Sequence, residues 1–325
     1  MKIFITGATG YIGNRLALNL AEQGYIVNIL VRNLNSINIP VHPNIVFYKG
    51  DVNDEESIKT ALKDCEYVYH VAAYARLSSR NADIFYRINV EGTQNVLRQA
   101  LNAGVKKVVF TSSVAVLGSS LRYPLTENDP RIKTFENDYE LTKSLAENLV
   151  KEYNTKGLPG VIVTLPRVYG PGYGVYSNGV NKFISWALTK KRIIVPSRQT
   201  NEANYVFIDD VLKGHQLAML KGLPGEKYII GGENASYKKL FSTILELTGQ
   251  RTKLIKIPYK LVKAGSYLAY LYAKITAKDH SVSPKILDSL FTNRAVSCQK
   301  AIDQLGYTIT PLHIGIQKTI EYLKK

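Results

Sequence analysis

The sequence predicts an α/β fold, a doubly wound parallel sheet followed by a smaller C-terminal lobe. Three observations predict it. Apolar, β-branched runs recur through the first half, helical patterns alternate with them, and a glycine-rich turn joins the first strand to the first helix. Strands that are apolar throughout, rather than at every second position, are buried on both faces, as in a parallel sheet wrapped by helices. Alternation with helices at this spacing gives the doubly wound order.

Taken in order, KIFIT predicts a strand over 2–6, followed by IVNILV (26–31), IVFYK (45–49), YVYHVA (67–72), KVVFTS (107–112) and VIVTL (161–165). Helical periodicity lies between them at 11–23, 54–64, 82–103 and 138–155. Asn53 and Glu56 look like a capping pair for the second of these helices. In the last, Leu141, Leu145 and Leu149 recur every four residues and predict its packing face. After Pro166 the pattern changes. A Gly/Pro/Tyr-rich loop, RVYGPGYGVYSNG, precedes a helix near 180–190, a short strand NYVF and a helix opened by Asp209-Asp210. From about 225 onward the chain reads as mostly helical, with single short strands.

The bulk numbers bound the class. A chain of 325 residues buries a large core, and 45% hydrophobic with 21% charged residues is ordinary for a folded protein. Cys65 and Cys298 lie far apart and fit no metal or redox spacing, so free thiols and no metal are expected. The N-terminus runs directly into a strand without a leader pattern, and the longest weakly charged apolar stretch, 264–273, is too short for a bilayer span. A cytoplasmic location is the expectation. Lys and Arg outnumber Asp and Glu by 42 to 26, a net +16 that favours anionic ligands. The charge is scattered and no nucleic-acid module is visible, so no nucleic-acid partner is expected.

The turn after the first strand reads Gly7-Ala8-Thr9-Gly10-Tyr11-Ile12-Gly13. Glycines there permit a tight turn and close approach to phosphate, and the helix N-terminus offers free N–H groups. The spacing is GxxGxxG rather than GxGxxG, but its place between first strand and first helix is what dinucleotide binding demands. Residues 1–166 therefore read as a Rossmann-type dinucleotide-binding domain. Residues 167–325 read as mainly a substrate-binding lobe, part of which returns to the sheet. The second strand ends Leu30-Val31-Arg32-Asn33, with a guanidinium where an NAD enzyme carries a carboxylate. NADP(H) is favoured on that ground, with NAD(H) the alternative. Asp51, after the third strand, would face the adenine.

The strand KVVFTS ends in hydroxyls, and on the next helix Tyr139 and Lys143 stand one turn apart. With GATGYIG, GDV, HVAA, INVEGTQNVL, TSSVAVLG, YELTK, LPRVYGPG and YVFIDDV, the chain resembles the extended short-chain dehydrogenases/reductases over essentially its whole length. TSSVAVLG and KGLPGEKYIIGGENASYKKLF make it most similar to the branch holding dihydroflavonol-reductase-like, farnesol-dehydrogenase-like and hopanoid-associated epimerase-like proteins. The resemblance implies that Tyr139 is the general acid/base, that Lys143 stabilises its phenolate and binds the nicotinamide ribose, and that Ser113 holds the substrate oxygen. Asn89 would support a proton relay or simply a structural turn. The resemblance also places cofactor contacts at Val52, Val71, Ala72, Ala73, Thr111, Pro166 and Val168, beside Tyr139 and Lys143 themselves. Family members often dimerise through a bundle that includes the Tyr–Lys helix, which implies a homodimer.

The family hosts several reactions. Val114-Ala115 follow Ser113 where sugar 4,6-dehydratases carry an acidic pair, so dehydration is disfavoured. Arg167 stands where galactose-type epimerases carry an Asn. A reductase or dehydrogenase acting on a mainly apolar carbonyl or alcohol is the first expectation, and an NAD-dependent nucleotide-sugar epimerase the alternative. A non-catalytic nucleotide-binding regulator comes third, because such relatives typically lose the Tyr or Lys. The stretch YKLVKAGSYLAYLYAKITAK (259–278) carries Tyr267, Leu268, Tyr270 and Leu271 flanked by Lys260, Lys263, Lys274 and Lys278. A core-packing helix with snorkelling lysines is the favoured reading, over an interfacial helix making peripheral membrane contact.

Overall fold

A computed structural model describes residues 1–76, 79, 81–121, 123–172, 178–249, 252–276, 287–288 and 291–324. The strands in chain order are β1 (Lys2–Thr6), β2 (Ile26–Val31), β3 (Ile45–Lys49), β4 (Tyr67–His70), β5 (Lys107–Ser113), β6 (Gly160–Leu165), β7 (Arg167–Tyr169), β8 (Arg192–Pro196), β9 (Glu202–Phe207), β10 (Lys227–Ile229), β11 (Glu233–Ser236) and β12 (Lys253–Ile257). Seven of them form a parallel sheet in the order β10-β6-β5-β4-β1-β2-β3. The order reverses between β1 and β4, and in such sheets the crevice beyond the strand C-termini at that point receives the ligand.

Side chains alternate across this sheet into two cores. Ile3 and Ile5 of β1 enter one with Val27, Ile29 and Tyr69, while Phe4 enters the other with Val68, Val108 and Phe110. Burial on both faces is what the continuous apolar runs predicted. The edge strand β3 is the exception, with Val46 and Phe47 exposed, since no strand among the described residues pairs beyond it.

The first-half helices are α1 (Tyr11–Glu22), α2 (Glu55–Leu62), α3 (Asp83–Tyr86), α4 (Gly92–Asn102) and α5 (Asp138–Thr155). The expected helix over 82–103 is interrupted by a π-helical turn, Arg87–Glu91. Such a turn widens the coil by one residue and often marks a functional site. Here it carries the buried Asn89. Asp54, not Asn53, caps α2 by accepting from Ser57 N. Asn53 is instead spent on Asp51, to which its backbone and side chain both donate.

The packing face of α5 also differs from the expectation. Leu141 is 39% exposed, and Leu145 and Leu149 are only half-buried. The face turned inward holds Thr142, Lys143, Ala146, Glu147, Val150 and Tyr153. The polar members of that face find partners inside, described below, which makes their burial tolerable.

The later helices are α6 (Gly179–Thr189), α7 (Ile208–Lys221), α8 (Tyr237–Thr248), α9 (Tyr259–Ile275), a short one over Gln299–Leu305 and a last one over Leu312–Leu323. β10 joins the main sheet beside β6, whereas β7, β9 and β11 form a second sheet, and β8 and β12 a parallel pair. The core-packing expectation for α9 is overturned, since Leu261, Tyr267, Leu268 and Tyr272 are all more than half exposed. Lys278 lies outside the described residues, as do residues 173–177 of the Gly/Pro/Tyr-rich loop. Among the described residues no helix is long and apolar enough to cross a membrane.

Candidate active site

β5 and α5 build the site. β5 runs between β4 and β6 and brings Thr111, Ser112 and Ser113 to the strand C-termini, with Ser113 in register with Leu165. Ser113 ends the strand by accepting from Ala115 N at 3.2 Å, which opens a single 3-10 turn, Val114–Leu117. α5 starts beyond a loop, capped by Asn137, whose side chain accepts from Glu140 N at 2.9 Å. This fixes Tyr139 in the first turn, where its hydroxyl faces the Ser113 side chain closely enough to be influenced by it.

One turn on, Lys143 is 2% exposed. Its Nζ donates to the Thr111 carbonyl at 2.7 Å and lies 4.0 Å from the centroid of the Phe110 ring. The Thr111 hydroxyl is bound to His215 Nε2 at 2.9 Å, so this residue meets the site through its backbone. Ser113, Tyr139 and Lys143 are thus brought together as expected.

Burial dominates their electrostatics. Burial pushes the Tyr139 phenol above its ordinary value, opposed by the Ser113 contact and reinforced by Glu140. Burial also draws the Lys143 ammonium down to about 7, with Glu147 working against the fall. For the phenol, burial outweighs the Ser113 contact. The phenol stands protonated at neutral pH, the form that donates.

The glycine turn lies beside this group. Gly7 has φ of +76°, and a Cβ there would sit 2.6 Å from Ala72 N. A Cβ on Gly13 would sit 2.3 Å from the Gly7 carbonyl oxygen. The first glycine lets the turn pass under the segment after β4, and the third lets α1 pack on the turn. Gly10 is the N-cap of α1 and has no side chain to occupy the first-turn N–H groups, and that turn holds no acid. These residues, with Thr9 and Ile12 between them, fit a dinucleotide pyrophosphate. The Tyr11 hydroxyl is turned away from the turn and donates to the Gly170 carbonyl at 2.7 Å.

Val71, Ala72 and Ala73 continue from β4 across the crevice. Ala72 N donates to the Thr6 hydroxyl at 3.2 Å, and Tyr74 N to Asn89 Oδ1 at 2.7 Å. Asn89 Nδ2 reaches Thr142 on α5 at 3.0 Å. Both ends of the Asn89 amide are therefore committed to joining this segment to α5. Val52 is buried under Gly92 of α4, where a Cβ would come within 2.6 Å of it.

At the far end of the crevice, Arg32 Nε lies 4.0 Å from Asp51 Oδ2, with the Arg32 side chain 74% exposed. Pro166 and Val168 flank Arg167 at the start of β7. Arg167 Nη1 donates to the Tyr237 hydroxyl at 2.5 Å and to Tyr205 at 3.4 Å.

Two polar clusters escaped the sequence reading. Glu140, next to Tyr139, is 1% exposed and gripped by Arg131 at 2.5 Å and Arg294 at 2.8 Å. Arg131 also donates to the Ala115 carbonyl at 2.7 Å, on the turn after Ser113. Glu147 accepts from the Ser112 hydroxyl at 2.6 Å and pairs with Lys227 of β10. Only the spacing of Glu147, one turn past Lys143, could have hinted at either, since apart from Arg131 the partners are distant in sequence. Among the described residues no cluster of His, Cys, Asp or Glu could hold a metal ion.

The fold and the Ser–Tyr–Lys arrangement define an extended short-chain dehydrogenase/reductase. The chain belongs to the NAD dependent epimerase/dehydratase family, whose profile matches residues 3–231. It is 30% identical over 265 residues to the sterol demethylase protein B of Methylococcus capsulatus, covering 81% of this chain and 79% of that one. It is 31% identical over 257 residues to a dihydroflavonol 4-reductase-like protein of Synechocystis, covering 76% and 72%. Among solved structures, the UDP-glucose 4-epimerase of Thermotoga maritima superposes with a TM-score of 0.82 at 24% identity over 100% of this chain and 99% of that one, a likeness of fold.

Proposed function

We propose that the protein is an NADP(H)-dependent oxidoreductase that interconverts a carbonyl and a secondary alcohol on a mainly apolar small molecule. The observation that carries this reading is the buried Tyr139 phenol set against the Ser113 side chain, with the buried Lys143 one helical turn away. NADPH, when bound, supplies the hydride. Ser113 holds the carbonyl oxygen, and Tyr139, protonated at neutral pH, delivers a proton to it. In the reverse direction the phenolate takes that proton back. Lys143, charged below about pH 7, stabilises the negative charge as it forms on the phenol. The likeness to the sterol demethylase protein supports an apolar substrate. The NADP(H) preference rests on Arg32.

The test is NADPH oxidation against a panel of sterol-like, isoprenoid and aromatic ketones, followed by cofactor titration. Tight NADPH binding with no turnover of any ketone, aldehyde or alcohol would point to a non-catalytic sensor. A second reading, NAD-dependent epimerisation of a nucleotide-sugar, draws on Arg167, whose guanidinium beside the cleft is suited to phosphate. A clear preference for NADH would revive it.

A further inference from the structure

We propose that α9 and the strand pair β8/β12 dock this protein on an anionic lipid surface. α9 turns Tyr259, Val262, Ser266 and Tyr270 toward the protein, all half-buried. The opposite face carries Leu261, Leu268 and Tyr272, exposed at 62%, 66% and 62%. Their spacings of seven and four residues put them on one line along the helix. The exposed Ala264 and Gly265 lie on the same face, and their small size keeps the stripe flat. Lys260 flanks it, fully on the solvent side.

Pro258 links this helix directly to β12, whose pairing with β8 repeats the pattern. Ile255 and Ile194 are in register and exposed at 41% and 64%. Lys253 and Arg192 are also in register and exposed. Like charges directly opposite one another destabilise a strand pair. An anionic surface removes that repulsion. The sequence reinforces the sign, because the described residues 252–276 contain five Lys, of which Lys263 pairs with Asp288, and residues 182–198 contain five Lys or Arg, with no Asp or Glu within either segment.

That combination selects the occupant. An apolar helical stripe bordered by lysines and tyrosines is the composition that lies in the headgroup region of an anionic bilayer. Protein interfaces are depleted in lysine, and a second copy would bring the same positive field to this face. The surface also communicates with the site. Tyr259, the first residue of α9, packs 5.4 Å from Phe291, which packs on Tyr237, the partner of Arg167. Delivery of a bilayer-dissolved substrate along this path rests on the oxidoreductase reading, but the docking does not.

The test uses the full-length protein in co-sedimentation with phosphatidylcholine vesicles, with and without phosphatidylglycerol, at low and high salt. The expected result is binding only to the anionic vesicles, weakened by salt. Leu268→Glu and Lys253→Glu should each weaken it by roughly tenfold, with melting temperature and cofactor affinity unchanged. Absence of binding to anionic vesicles overturns the proposal, as does equal binding by both variants and the natural chain. A concentration-dependent dimer that Leu268→Glu dissociates, without vesicle binding, would assign the face to a second copy instead.

Discussion

Lys143 Nζ donates to the carbonyl oxygen of Thr111 at 2.7 Å, so a buried ammonium joins the end of β5 to the second turn of α5. Burial brings its pKa down to about 7 from 10.5. Between those values the folded protein holds fewer protons at this site than the unfolded chain does, so stability rises with pH across the window. The natural chain should gain about 2–4 kcal/mol relative to Lys143→Met as pH rises from near 7 toward 10. Thermal melts of both proteins across that range check it, and parallel curves would refute it. Turnover should fall over the same range as the cation is lost.

Tyr139 and Ser113 face each other but have separable roles. Tyr139→Phe should lower kcat by at least about 10²–10⁴-fold, the usual contribution of a general acid. Its NADPH affinity should stay near that of the natural protein. Ser113→Ala should cost less, on the order of 10²-fold in kcat/KM, because it removes one donor to the reacting oxygen. Steady-state kinetics with fluorescence titration of cofactor separates the two. Substantial activity in Tyr139→Phe would remove this residue from the acid/base role.

Glu140 is held by Arg131 and Arg294, which belong to segments 163 positions apart by their numbers. Removing one member of a buried charge cluster costs about 3–5 kcal/mol, because the partners remain buried without compensation. Glu140→Gln should therefore lower the melting temperature markedly, and kcat with it, since Tyr139 is the adjacent residue. Chemical denaturation measures the loss. The double variant Glu140→Met with Arg294→Met should recover part of it, and strict additivity would show that the cluster does not act as a unit.

Arg32 and Asp51 make opposite predictions at one place. Arg32→Ala should weaken NADPH by roughly tenfold or more, the worth of a charge-assisted contact, and leave NADH nearly unchanged. Asp51→Asn removes the charge 4.0 Å from the guanidinium and should tighten NADPH. Calorimetric titration of both cofactors decides it. Equal losses for NADPH and NADH in Arg32→Ala would dissociate this residue from the 2′-phosphate.

The amino-acid sequence by itself determined the strand–helix alternation, the glycine turn and the Ser–Tyr–Lys constellation. Each of these is local: an apolar run, a turn needing glycine, or two residues one helical turn apart. The three site residues came together because β5 and α5 are both placed by short-range patterns. What only the tertiary structure decided is what lies against each element. The leucines of α5 looked like its packing face, yet the inward face carries Lys143 and Glu147, because Thr111, Ser112 and Lys227 wait there as partners. The apolar residues of α9 looked like core, yet they face outward, because no element of the described lobe covers them. Hydrophobic periodicity reports that a helix has two faces. Which face is buried depends on partners contributed from distant parts of the chain, and the spacing of one helix does not encode them.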